Sequence, residues 1–180
     1  MKLSNRFFNA IAVVFICFSA SAMAADKAFF ETKPVSNNGE RWRIAYYEGG
    51  EYIEYQKLFI ETIRAMMDLG WIERTDIPDQ QGEQTASLWG WMSTHLKSRY
   101  VEFVADAHYS ASWDDASRGR ISSNVINRLA SDGDIDLMIA MGTWAGKDLA
   151  NASHSTPTMV ISASDPLSAG IIKSVEDSGL

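Results

Sequence analysis

Three short segments of this 180-residue chain carry side chains suited to holding a small molecule, and each closes an apolar run. Tyr47, Glu48 and Gly49 end the run over 42–47. Gly142, Thr143 and Trp144 follow the run over 135–141, and Ser162, Ser164 and Asp165 end the run over 158–163. A glycine lets a ligand come close to the backbone. A threonine hydroxyl beside the first N–H groups of a helix can hold a carboxylate. An acidic side chain such as Asp165 could hold an ammonium group, and Trp144 could stack on an aromatic or cationic ligand. Each residue also has a plain structural reading. Glu48-Gly49 could be a strand-to-helix turn, Thr143 a helix cap, Trp144 a packing residue, and Asp165-Pro166 a turn leading into a helix. The residues expected to face a ligand are Tyr47, Glu48, Gly49, Gly142, Thr143, Trp144, Ser162, Ser164 and Asp165.

Catalysis has little support in the same inventory. Ser, His and Asp all occur, but there is no Gly-x-Ser-x-Gly elbow, and the single cysteine, Cys17, lies near the N-terminus. His95, His108 and His154 lack the spacing of metal ligands. Neither a Walker-type phosphate loop nor a Gly-x-Gly-x-x-Gly follows the first strand, so no nucleotide cofactor is expected. Trp89, Trp91 and Met92 read as cover for a sheet; Trp113, beside Asp114 and Asp115 on the loop after the second strand, could contact a ligand, but the segment reads first as a helix start capped by an acid. This is an inventory for capture, and neither an enzyme nor a cofactor is expected.

The elements that must position these residues alternate. Residues 42–47 form a β-prone run, broken by Glu48-Gly49-Gly50. Over 51–69, Tyr52, Tyr55, Phe59, Ile63 and Met66 recur at spacings of three and four, which predicts a helix ended by Gly70. A loop over 75–84 and a helix over 85–96 follow. The pattern then gives a strand over 100–105, a helix over 116–130 marked by Ile121, Val125 and Leu129, and a strand over 135–141. A helix over 144–151, a strand over 158–163 and a last helix from about Leu167 complete it. Strands alternating with helices predict an α/β fold: a doubly wound, mostly parallel sheet in three layers.

The ends of the chain bear on where it acts. Lys2 and Arg6 precede an apolar run over 7–18, and Ala22-Met23-Ala24 supplies small residues for cleavage, so 1–24 reads as an export signal. Its apolar core is shorter than the roughly 20 residues that span a bilayer. Cleavage would also remove Cys17, leaving neither a disulfide nor a Cys metal site. It would take Lys2 and Arg6 from the 16 basic residues, leaving 14 against 23 acidic ones, a net charge of −9. An acidic chain does not suit nucleic acid. Residues 25–40 read as a flexible lead-in, and 41–180 as one domain.

The run 136–143 (Asp-Leu-Met-Ile-Ala-Met-Gly-Thr), Thr156-Pro157-Thr158-Met159-Val160 and the element 164–170 (Ser-Asp-Pro-Leu-Ser-Ala-Gly) resemble the substrate-binding proteins of ABC transporters. More narrowly, they are similar to the subgroup with tryptophan- and tyrosine-type amino-acid binders, which has the type I periplasmic binding fold. The resemblance covers roughly 41–170. It implies a periplasmic protein that captures an amino-acid-like ligand and delivers it to an ABC permease in the inner membrane. It implies that the loop at Gly142-Thr143 touches ligand and that Asp165-Pro166 lies near hinge and cleft. Members have two lobes, and the chain matches the first only, which suggests a truncated form rather than a stand-alone half. A ligand-sensing periplasmic module or a secreted enzyme on the same scaffold is the alternative.

Overall fold

The computed structural model describes residues 32–177. The export signal read over 1–24 and the start of the lead-in lie outside them. Strand β1 (Trp42–Glu48) alternates its side chains between two cores, with Ile44 and Tyr46 in one and Ala45 and Tyr47 in the other. A strand buried on both faces needs the near-continuous apolar character that this one has.

Helix α1 (Ile53–Asp68) buries Tyr55, Phe59, Ile63 and Met67, a stripe at fourfold spacing. Two residues expected on that stripe lie at its margin, Met66 still packed against the core. Tyr52 precedes the first helical turn and stays 45% exposed, and Met66, one residue round from Met67, is half-buried. Gly70 ends the helix at φ +79°, where its N–H and that of Trp71 donate to the carbonyls of Met67 and Met66. Helix α2 (Ala86–His95) buries Leu88, Trp89 and Met92 against the same core, the role read for Trp89 and Met92, while Trp91 packs against it only partly buried.

Strand β2 (Val101–Ser110) runs beyond the expected end at Ala105. Two steps along β1, from Ile44 to Tyr46, match five along β2, from Phe103 to His108, so β2 bulges and then resumes pairing. The bulge breaks the alternation that marks a strand in sequence. Helix α3 (Asp115–Ser131), strand β3 (Leu137–Met141), helix α4 (Gly142–Leu149) and strand β4 (Thr158–Ile161) follow.

The strands lie in the order β2-β1-β3-β4, all pairings parallel. The chain passes outward from β1 to β2, then crosses back to β3 and on to β4. Helices α1 and α2 pack on one face with Tyr46 and Ile139; α3 and α4 bury Val125, Leu129, Ala145 and Leu149 on the other. This is a three-layer, doubly wound α/β fold.

Two segments differ from expectation. The helix expected from Leu167 is a single turn. Asp165 opens it by accepting from the Ser168 N–H at 2.9 Å, and Gly170 at φ +71° closes it five residues later. The N–H groups of Gly170 and Ile171 donate to Leu167 and Pro166, so the helix start and stop signals nearly coincide. Ile171 is thereby buried over Gly146. The described part of the lead-in, 32–40, is tied to the body. The indoles of Trp71 and Trp42 donate to the carbonyls of Thr32 and Val35 at 3.1 and 2.9 Å. No helix among the described residues is long and apolar enough to cross a membrane.

Candidate functional site

The winding direction reverses between β1 and β3, and in open α/β sheets the crevice at such a switch point is where ligands bind. Three loops meet there: Gly49 to Tyr52 after β1, Ser112 and Trp113 after β2, and the start of α4 directly after β3.

The floor of this crevice is polar. Glu48, at the end of β1, is 1% exposed. Its Oε2 accepts from the hydroxyls of Tyr46 and Thr85, both at 2.8 Å. The Thr85 hydroxyl has one proton, so with that proton on Glu48 the His108 Nε2, 2.8 Å away, must be the donor to Thr85. His108 also stacks on the Tyr46 ring, centroids 5.1 Å apart, where the bulge in β2 delivers it. Burial raises the Glu48 carboxyl, against the pull of hydrogen bonds from Thr85, Tyr46 and Ser110. Burial takes the His108 imidazole from 6.5 to about 4. The arrangement is a neutral imidazole joined through a hydroxyl to a buried acid.

Aromatic rings form the walls. The Trp113 N–H donates to the Gly49 carbonyl at 2.7 Å, and its indole N–H to the Glu51 carbonyl at 2.9 Å. A Cβ on Gly49 would lie 2.7 Å from the Trp113 ring, and one on Gly50 2.5 Å from it. These glycines therefore leave room for the Trp113 ring in this structure. Gly142, at φ +83°, likewise holds the Tyr55 hydroxyl against its backbone. Trp144 meets Trp113 edge to face at 5.4 Å, and the Arg118 guanidinium lies 4.4 Å from its ring centre. Arg118 is itself engaged with both oxygens of Asp148 at 2.7–3.1 Å.

The residues singled out from the sequence divide into groups. Tyr47 points into the α3/α4 core with no exposure, its hydroxyl donating to Asp148 at 2.8 Å. Strand alternation turns it away from its neighbour Glu48. Glu48 lies under the crevice and not on its surface. Gly49, Gly142 and Trp144 are in the crevice, lined by the rings just described. Thr143 joins the loop after β4: its hydroxyl accepts from the Ser164 N–H at 3.2 Å. Ser162 (φ +62°), Ser164 and Asp165 are exposed, and Asp165 is held low by its bonds to Ser168. Asp114 caps α3 through the N–H groups of Ala116 and Ser117 at 3.1 Å, the role read for it. The first turn of α4 has no side-chain cap.

Tyr52, Tyr55 and Gly50 at the crevice were missing from the expected set, and Trp113, weighed as a ligand contact, was outranked there by the helix-start reading. Tyr55 has a helix-core period and gives no other signal. Trp113 meets Gly50 only through the extended, bulged β2, and no local pattern in the sequence contains that contact.

No family model matches the sequence, and no curated protein matches it. Among solved structures, one similar chain is an ABC domain in complex with L-Trp from Streptococcus pneumoniae, 14% identical, with a TM-score of 0.46 over 78% of this chain and 36% of that one. A ligand-free, open substrate-binding protein with adhesive properties from Clostridium difficile is 16% identical, with a TM-score of 0.46 over 74% of this chain and 35% of that one. A conserved domain protein from Vibrio cholerae is 14% identical, with a TM-score of 0.41 over 76% and 35%. The chain thus spans 35–36% of the length of these neighbours.

Proposed function

We propose that this chain binds a small, amino-acid-like molecule at the carboxyl ends of β1 and β3, as the solute-capturing component of an ABC transport system. The observation that carries this reading is the strand order, which puts a switch point between β1 and β3 with the loops at Gly49 and Thr143 beside it. The start of α4 supports it. Its N–H groups have no side-chain cap and so can meet a carboxylate, with the Thr143 hydroxyl alongside. In this reading 1–24 is a cleaved export signal, 25–40 a lead-in and 41–180 a ligand-binding lobe acting in the periplasm beside a permease. The basic residues, apolar run and Ala22-Met23-Ala24 at the N-terminus support export.

A thermal-shift screen of amino acids and other small metabolites tests the binding reading. A ligand at one hundred times its dissociation constant stabilises by about 2.7 kcal/mol, which for a domain of this size raises Tm by roughly 5–10 °C. Thr143→Ala should reduce that shift by removing one hydrogen bond to the ligand, about 1 kcal/mol. A melting curve unmoved by every compound overturns the reading.

A further inference from the structure

We propose that the aromatic corner formed by Tyr52, Tyr55 and Trp113 is a subsite for a positively charged ammonium group; this rests on the ligand-binding reading above and names the chemistry of one end of the ligand. Tyr55 is the buried apex of the corner, with Tyr52 edge-on to it at 5.1 Å and 87°, and Trp113 inclined to it at 6.3 Å and 41°. Both flanking residues are exposed, Tyr52 at 45% and Trp113 at 47%. Both residues lie on loops at the carboxyl ends of the strands, where open α/β sheets bind ligands.

Trp113 is fixed in place. It follows Ser112 at φ +54° and itself sits at φ +56°, two successive non-glycine residues in the left-handed region. Such a backbone persists where its surroundings hold it. Here the Trp113 N–H bonds Gly49 and the indole N–H bonds Glu51. The ring is a pre-set wall.

Charge selects what that wall would take. The negative face of an indole or phenol ring attracts cations, and the adjacent Trp144 already holds the Arg118 guanidinium at 4.4 Å. Arg118 is committed to Asp148, and Lys57 to Glu54. Glu51, whose carbonyl anchors Trp113, forms no ion pair among the described residues, whereas Asp115, two residues beyond Trp113, acts on Arg118. Exposed aromatic rings, anchored on a residue whose carboxylate forms no ion pair, favour an ammonium group over an anion. The uncapped start of α4 across the crevice has the opposite preference, so the two ends suit a dipolar ligand.

Choline is the probe, and 3,3-dimethyl-1-butanol, its uncharged isostere, is the control. In 15N spectra the indole N–H resonance of Trp113, assigned from Trp113→Phe, should move on titration with choline. The isostere should bind at least about tenfold more weakly. Trp113→Ala should weaken choline binding about tenfold, and Glu51→Gln, an exposed change that leaves the rings in place, by several-fold. Circular dichroism melts verify that each variant is folded. Equal binding of choline and the isostere overturns the proposal, as does choline affinity unchanged in folded Trp113→Ala and Glu51→Gln, or no movement of Trp113. If a metabolite stabilises the chain through Thr143 while choline leaves Trp113 unmoved, the cation subsite fails and the binding reading stands. If no metabolite stabilises the chain, the binding reading falls, and the choline titration still decides the subsite.

Discussion

At the scale of single residues, the crevice floor carries opposed titrations. His108 is held neutral by burial, with a pKa of about 4 in place of 6.5. The unfolded chain takes a proton there below about pH 6.5, while the folded chain takes one only near pH 4. Acidification through that window therefore favours unfolding, by on the order of 3 kcal/mol at most. Glu48 runs the other way, because its folded pKa is raised and protonation relieves a desolvated carboxylate. The two act in opposite directions in the native chain. His108→Phe keeps a ring on Tyr46 and removes the base, so its Tm should fall less between pH 6.5 and 4 than that of the native protein. Parallel melts across that range check this, and equal slopes would mean that His108 is not the group that titrates. Tyr47 and Glu48 show how far residue types could be read in advance. Both were singled out, but alternation sends one into the opposite core, and hydrogen bonds from Tyr46 and Thr85 draw the other under the site.

At the scale of elements, the start of each helix distinguishes structure from site. Helix α3 begins with Asp114, which accepts from two of its first N–H groups, and α4 begins with none accepted by a side-chain cap. Asp114→Ala should lower Tm by roughly 2–4 °C without altering the screen's ligand response. Melting curves with and without ligand measure both, and an unchanged Tm would mean that water replaces the cap. Helix periods were plain in the sequence for α1 and α3, because a stripe such as Tyr55, Phe59 and Ile63 is a local property. The single turn at Asp165 to Gly170 was read as a longer helix, since Asp165-Pro166 is a good start and Gly170 an equally good stop too soon after it. The far half of β2 was missed because its bulge interrupts the period of two.

At the scale of the whole molecule, the parallel order β2-β1-β3-β4 concentrates the candidate site on one end of the sheet. The opposite end is tied by ion pairs: Arg43 with Asp136, and Arg128 with Asp134 and Asp106. A ligand found by the screen should therefore slow amide hydrogen exchange over 49–52, 112–113 and 143–145, and leave 97–100 and 133–136 unchanged. Hydrogen exchange with mass spectrometry reads both ends at once. Protection at 133–136 alone would move the site to the wrong end of the sheet.

The sequence by itself determined the succession of strands and helices and the three-layer class, because periods of two and 3.6 and the Gly and Pro breaks are written in neighbouring residues. It also marked the loops at Gly49 and Gly142, since each closes an apolar run. Only the tertiary structure decided which side chains share the crevice. Trp113 lies on Gly50 and Tyr55 on Gly142 because β1 pairs with both β2 and β3. Such contacts join residues tens of positions apart, and strand pairing sets them, which no local spacing encodes.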